Sequence, residues 1–133
     1  MEELLEDGGT QVSDLEETPD EVIAALQRAA VEQPRQLWRF YADISDRSAP
    51  TLTIGLRDDR GALSFYDGRI SYRPAVGLNA EPEDYWWAGH YSPAAEYSEI
   101  PVDDALLAVR EFLNRCIQPT SVDWVRRYPY DHA

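Results

Sequence analysis

The sequence predicts an α+β fold in a single domain, with an antiparallel β-sheet meander packed against two amphipathic helices. Two segments, near residues 19–32 and from Pro101 onward, place apolar residues at helical spacing. Between them lie short segments rich in β-forming residues, some of which alternate apolar with polar positions. Tight-turn signals at residues 58–61 (DDRG) and 67–68 (DG) separate these segments and predict hairpins.

Length and composition place the chain among small cytoplasmic proteins. It has 133 residues, which suits one domain. A domain of this size buries roughly two-thirds of the surface that its unfolded chain exposes, so we expect one hydrophobic core. We expect no membrane span, because no run of about 20 apolar residues is present. The start of the chain lacks the pattern of a secretory signal, and the single cysteine cannot form an internal disulfide.

The amino-terminal region predicts an arm followed by a helix. Residues 1–17 carry seven acids, no basic residue and few large apolar side chains. We interpret them as a flexible acidic arm that precedes a single α+β domain at 18–133. The sequence TPDE at 18–21 then offers a capping threonine, a proline suited to the first helical position and a glutamate that can complete a capping box. Pro34 stops this helix, which we place at 19–32.

The middle of the chain predicts a β meander. Residues 36–44 are rich in β-forming residues, and residues 51–58 alternate apolar and polar side chains. The return strand at 61–67 continues the apolar face, and residues 69–73 follow the second turn. Residues 74–84 contain proline, glycine and asparagine, which predicts a loop.

An aromatic segment follows at residues 85–91, with two tryptophans, two tyrosines and a histidine. If it is one strand, alternate residues from Tyr85 to Tyr91 point to one face, and Trp86 and His90 point to the other. Both faces then carry large aromatic rings. Either helices cover both sides of the sheet, or some of the rings are exposed and form a protein-binding surface beside the acidic residues that precede them.

The carboxy-terminal third predicts a strand end, a helix and a final strand. Glu99-Ile100 closes a strand, and Pro101 begins the helix, with two aspartates in its first turn. Pro119 prevents the helix from continuing, and SVDWVRRY then predicts a strand. The apolar stripe of the helix comprises Val102, Ala105, Leu106, Val109, Phe112, Leu113 and Cys116.

Residues with catalytic potential are few. His132 is next to the chain end, and His90 has no recognised nucleophile–base arrangement around it; a lone histidine in an aromatic strand is more often structural or interfacial. Cys116 is expected to be buried as a small apolar residue. The sequence has no cysteine pair, no His-Glu-x-x-His, no glycine-rich phosphate loop and no lysine, so we predict no metal and no cofactor. The chain is therefore predicted to be a binding protein and not an enzyme.

The charge balance narrows the choice of partner. The chain has 25 acidic and 12 basic residues, all of the latter arginine, for a net charge of −13. This excess disfavours direct binding of nucleic acid, because phosphates would be repelled. It allows fast, steered capture of a basic protein, although acidity can also serve solubility alone.

The carboxy-terminal third combines Ile100-Pro101, a helix through Ala105 and Val109 to Phe112-Leu113, and then Pro119 and Trp124. In these features the chain resembles immunity protein family 1 of bacterial polymorphic toxin systems. Members of that family typically have Arg-Pro where this chain has Gln118-Pro119, and often a glycine where it has Cys116-Ile117. A looser resemblance extends over residues 19–127.

The resemblance implies a cytoplasmic immunity protein that neutralises a toxin encoded beside it by covering the toxin's active site. Members are commonly paired with nucleic-acid-targeting deaminases or nucleases, which tend to be basic. The alternatives are an acidic regulatory adaptor and a small enzyme centred on His90. We predict no membrane partner and leave the oligomeric state open. The predicted partner contacts are Glu83, Asp84, Trp86 and His90, which lie at the loop–strand junction or opposite the face of Tyr85.

Overall fold

The structure is a computed structural model that describes residues 9–127 and places two α-helices and nine strands within that range. The order is β1 (Gly9–Gln11), one turn of 3-10 helix (Val12–Asp14), α1 (Pro19–Glu32), β2 (Leu37–Tyr41), β3 (Thr51–Arg57), β4 (Arg60–Tyr66), β5 (Ser71–Pro74), β6 (Trp86–Trp87), β7 (His90–Tyr91), β8 (Glu99–Pro101), α2 (Val102–Arg115) and β9 (Trp124–Arg126). The predicted α+β class is confirmed.

Seven of the described strands form one sheet, in the order β1-β2-β3-β4-β5-β9, with β8 also paired to β4. Every pair in this sheet is antiparallel except β1 with β2. Strands β3 and β4 pair over their whole length, from Thr51 opposite Tyr66 to Arg57 opposite Arg60. β5 and β8 share the far edge of β4, at opposite ends of that strand.

Both helices pack on the same face of this sheet and enclose the main core. Burial of each large apolar side chain stabilises the fold by roughly 1.5 to 3 kcal/mol, which makes this cluster the main source of stability. The alternation predicted for β3 is confirmed, because its three large apolar residues are all buried. The largest core members are Val22, Ile23 and Leu26 of α1, Trp38 and Phe40 of β2, Leu52, Ile54 and Leu56 of β3, Leu63 and Phe65 of β4, and Leu106, Val109, Phe112 and Leu113 of α2.

Local signals set the helix boundaries. The hydroxyl of Thr18 accepts a hydrogen bond from the Glu21 backbone N–H at 3.2 Å, and the Glu21 carboxylate accepts one from the Thr18 N–H at 2.9 Å. α1 therefore occupies the predicted residues. α2 ends where Cys116 adopts a left-handed conformation with φ 54°. Cys116 is thus a half-buried helix cap and not the predicted buried member of the helix stripe; burial raises the pKa of its thiol.

No helix within residues 9–127 is long and apolar enough to cross a membrane.

The last strand is tied to the core through Trp124. Its indole N–H donates to the carbonyl of Pro119 at 2.8 Å, and its ring lies 6.0 Å from that of Phe65. Val122 and Trp124 are both partly buried against the core. The succession of proline and tryptophan in the sequence therefore serves the fold.

The segment before α1 differs from the predicted acidic arm. Its first eight residues lie outside the described part, but Gly9–Gln11 pairs with Arg39–Tyr41 in the sheet. Thr10 is buried, and Leu15 packs against the core. A three-residue strand and one leucine form too short a pattern to be recognised in sequence.

The second face of the sheet is only partly covered. The connection between β5 and β8 crosses over it and forms a small cluster in which Tyr85 and Ala94 pack on Leu37 and Ala62, with Trp87 at the edge. The helices thus cover one side alone. Of the two arrangements left open by the sequence, the one with exposed aromatic rings is observed.

Candidate functional site

The aromatic segment is a β-hairpin and not one strand, so the assignment of faces that assumed a single strand over residues 85–91 does not apply. Ala88 and Gly89 form its turn and both have positive φ, 48° and 83°, which is the conformation of a two-residue type I′ turn. Ala-Gly lacks the usual Asn-Gly or Asp-Gly signature, and the reversal was therefore missed. The strand pairs are Trp86 with Tyr91 and Trp87 with His90.

The turn changes which side chains share a face. Trp86 and Tyr91 lie side by side with their rings 5.8 Å apart in an edge-to-face arrangement, and they are 39% and 60% exposed. The Tyr91 hydroxyl donates to the Asp84 carboxylate at 2.7 Å. We call Asp84, Trp86 and Tyr91 the aromatic patch. Two of the four predicted contacts belong to it, and Tyr91 was missed because a single strand would have turned it away.

The other two predicted contacts, Glu83 and His90, lie outside the aromatic patch. The Glu83 carboxylate lies 3.5 Å from the guanidinium of Arg35 and 3.7 Å from that of Arg57, and its side chain is 30% exposed. His90 is exposed beside the turn and pairs with Trp87. The structure therefore does not bring the four predicted residues together on one face.

Hydrogen bonds extend the hairpin ladder and attach the hairpin to Arg35, which lies just before β2. Glu83 and Ala94 exchange two of them, at 3.0 and 2.8 Å, which extends the hairpin ladder beyond β6 and β7. The Trp86 N–H donates to the Arg35 carbonyl at 2.9 Å, and the Arg35 guanidinium donates to the Asp84 carbonyl at 2.9 Å. The aromatic patch is thus held on pinned backbone on both sides of Tyr85.

A buried polar cluster supports the base of the hairpin. Tyr85 and Glu99 are both 0% exposed, and the Tyr85 hydroxyl donates to the Glu99 carboxylate at 2.8 Å. Arg57 donates to both oxygens of the same carboxylate, at 2.5 and 2.7 Å. Such a bidentate, charge-assisted pair is among the strongest hydrogen-bonded contacts in proteins. The buried carboxylate thereby joins β3, β8 and the hairpin.

This cluster keeps Glu99 ionised. Burial by itself would raise the pKa of Glu99, but the hydrogen bonds from Arg57 and Tyr85 outweigh it and hold that pKa below its ordinary value. Burial and the bond to Glu99 raise the pKa of the Tyr85 hydroxyl, and the same carboxylate raises the pKa of Arg57. All three groups thus keep a fixed protonation state at neutral pH, which suits a support and not a proton-transfer site.

Gly55 leaves room for the Tyr85 ring, and Asn79 orders the loop around the cluster. A Cβ on Gly55 would lie 2.6 Å from the Tyr85 ring, so only glycine admits that ring. Asn79 is buried; its side-chain oxygen accepts from the Glu99 N–H at 2.9 Å, and its amide donates to the carbonyls of Glu81 and Ala95. Neither residue carried a functional signal in the sequence, because both roles depend on partners distant along the chain.

The arrangement offers a recognition surface on a rigid base. Among the residues that the structure describes, no three histidine, cysteine or acidic side chains are grouped as ligands for a metal ion. A sequence model of the family described as immunity protein Imm1 matches residues 13–126, a range that includes both helices and the whole hairpin. No curated protein matches the chain.

Proposed function

The chain belongs to the immunity protein Imm1 family, and from that premise we propose that it binds and neutralises a cognate bacterial toxin. We place it in the cytoplasm, as a non-catalytic inhibitor of a toxin encoded beside it. Inhibition is by occlusion: the protein covers the toxin's active site and keeps substrate out.

The aromatic patch is the observation that supports our placement of the toxin contact. Tryptophan and tyrosine contribute most of the binding energy in many interfaces because they bury a large area at little entropic cost. Here the rings of Trp86 and Tyr91 are exposed side by side, and the Tyr91 hydroxyl donates a hydrogen bond to the Asp84 carboxylate. Because hydrogen bonds already fix the backbone that carries these rings, binding costs little conformational entropy there.

Charge supports a nucleic-acid-targeting toxin, a deaminase or a nuclease. Enzymes that act on nucleic acid need basic clefts to hold phosphates. A protein of net charge −13 is attracted to such a cleft, and this attraction raises the rate of association. We place Asp84 and Trp86 at the centre of the contact, together with Tyr91, and Glu83 and His90 at its rim.

The test is a double variant of the aromatic patch, Asp84→Arg with Trp86→Ala. Loss of an interfacial tryptophan costs at least about 2 kcal/mol at a hot spot, and reversal of a contacting charge adds about 1 kcal/mol. We expect the Kd for the toxin domain encoded beside this gene to rise roughly 100-fold, measured by titration calorimetry.

A matched control lies on the helix layer. Glu32→Arg with Val31→Ala makes the same charge change and removes an apolar side chain that is 83% exposed, at the end of α1. It should leave the Kd within about threefold, since single surface changes away from an interface have small effects. Equal affinity of the two double variants, with both folds intact, would exclude the aromatic patch as the contact.

A further inference from the structure

We propose that the helix-free face of the sheet is a second contact for the same toxin, an arginine-lined groove that receives an acidic segment of it. The proposal rests on the proposed function for the identity of the partner. It adds a contact of opposite charge to the aromatic patch, and none of the predicted contacts is among the residues that line it.

The groove consists of two adjoining depressions at the centre of the sheet. One has a volume of about 450 Å³ and is bordered by β2, β3, β4 and the connection between β2 and β3. A smaller one of about 100 Å³ extends toward residues 92–98. The two depressions share Arg39, Thr53, Ser64 and Arg127 in their linings and are therefore neighbours.

The lining of the groove is basic in a strongly acidic protein. Among the residues that the structure describes, four arginines and two aspartates line it, a balance of +2, whereas the whole chain carries −13. Asp43 and Asp46 each accept hydrogen bonds from the hydroxyl and N–H of a serine two residues further on, so their carboxylates are engaged in local turns. The arginines are Arg39, Arg47, Arg73 and Arg127.

Aromatic rings hold two of the arginines in place without neutralising them. The Arg39 guanidinium lies 4.2 Å from the centre of the Trp87 ring, and that of Arg73 lies 5.4 Å from the Tyr97 ring. Within residues 9–127 neither of them, nor Arg47, forms an ion pair. Arg73 donates one N–H to the Pro74 carbonyl at 2.8 Å. The other in-plane N–H donors of the two guanidinium groups can bind a carboxylate, and bidentate pairing makes such a contact specific.

The floor of the groove provides further donors. This floor consists of short hydroxylated side chains from three neighbouring strands. Because these side chains are short, they leave an open space between the longer side chains that surround them. None of these hydroxyls makes a side-chain hydrogen bond within the described part of the chain. Free hydroxyls between guanidinium groups suit an anionic ligand, because each can donate to an oxygen. They are Thr51, Thr53, Ser64 and Ser71.

An acidic protein segment fits this groove better than a nucleic acid. A nucleic acid carries many phosphates and would be repelled by the negative field of the whole protein, whose net charge is −13. A protein segment with two or three carboxylates is short enough to contact only the arginines of the groove. Basic surface elsewhere on the toxin then contacts the acidic surface of this protein outside the groove. Opposite charges on two neighbouring surfaces also fix the orientation of the bound toxin.

The test reverses charge in the groove and, as a control, on the helices. Arg47→Glu with Arg73→Glu and Arg28→Glu with Arg115→Glu each remove two positive and add two negative charges, and Arg28 and Arg115 are exposed on α1 and α2. We expect the groove variant to raise the Kd for the toxin at least about 50-fold. The helix variant should bind as tightly as the wild type or slightly more tightly, because added acidity attracts a basic toxin.

A direct probe separates this proposal from the proposed function. Hexaglutamate titrated into isotope-labelled protein should shift the amide signals of Arg39, Thr53 and Ser64 in the wild type and not in the groove variant. If the wild type binds hexaglutamate there but not the toxin, the groove stands and the immunity function fails. Equal toxin affinity of the groove and helix variants overturns the proposal, and so does a stronger shift with a single-stranded DNA oligonucleotide than with hexaglutamate.

Discussion

Replacing Tyr85 by phenylalanine tests whether the buried polar cluster stabilises the hairpin and its surroundings. The change removes one hydroxyl and keeps the ring that fills the space beside Gly55. The lost hydrogen bond, 2.8 Å to the Glu99 carboxylate, joins two residues that are 0% exposed. A bond to a charged group contributes about 1.5 to 3 kcal/mol. Since Arg57 still holds both carboxylate oxygens, we expect a loss near the middle of that range, about 2 kcal/mol.

Urea unfolding followed by tryptophan fluorescence measures this loss. We expect the unfolding midpoint to fall with an unchanged slope, because the amount of surface exposed on unfolding stays the same. In thermal unfolding, about 2 kcal/mol corresponds to a Tm lowered by roughly 6 to 8 °C in a domain of this size.

Tyr91→Phe is the matched control. It also removes a tyrosine hydroxyl that donates to a carboxylate, at 2.7 Å, but Tyr91 is 60% exposed. Water replaces the lost partner, so the free energy of unfolding should change by less than about 0.5 kcal/mol. If Tyr85→Phe destabilises the protein no more than Tyr91→Phe does, the buried hydrogen bond to Glu99 does not stabilise the fold.

Two further predictions concern the same cluster. Gly55→Ala should lower the free energy of unfolding by about 2 to 3 kcal/mol in urea unfolding, because the new Cβ would lie 2.6 Å from the Tyr85 ring and 2.7 Å from Leu37. In a Tyr85→Ala background the added loss should be smaller, because only the contact with Leu37 remains, and an undiminished loss there would contradict the clash assigned to the Tyr85 ring. Glu99 has its pKa held below the ordinary value of 4.5, so its charge stabilises the fold above pH 4.5 and this contribution is lost as the pH falls through the folded-state pKa. The stability advantage of the wild type over Glu99→Gln should therefore shrink in acid; a constant advantage would show that the charge of Glu99 is not its source.

The helices and the central hairpin could be predicted because their signals are local. The capping box at Thr18 lies within four residues, and it sets the start of α1. The alternation of β3 needs only the period of a strand, and the turn at Asp58-Asp59 follows from its composition. Each of these patterns is complete without knowledge of the rest of the chain.

The candidate site was harder to predict because it depends on one turn and on distant partners. In a single strand, residues five positions apart face opposite sides, but a two-residue turn places Trp86 and Tyr91 on the same side. The sequence also gives no sign that Glu99 is buried, since its partner Arg57 is 42 positions away. A charged residue is expected at the surface unless its partner is known.

The proposed immunity function is tested by binding to the toxin itself. The experiment is a calorimetric titration of the protein with the carboxy-terminal domain of the protein encoded immediately upstream, at low and at high salt. We predict nanomolar affinity that weakens as salt rises, because salt screens the attraction between a chain of net charge −13 and a basic toxin. Absence of binding at micromolar concentrations would contradict the immunity function.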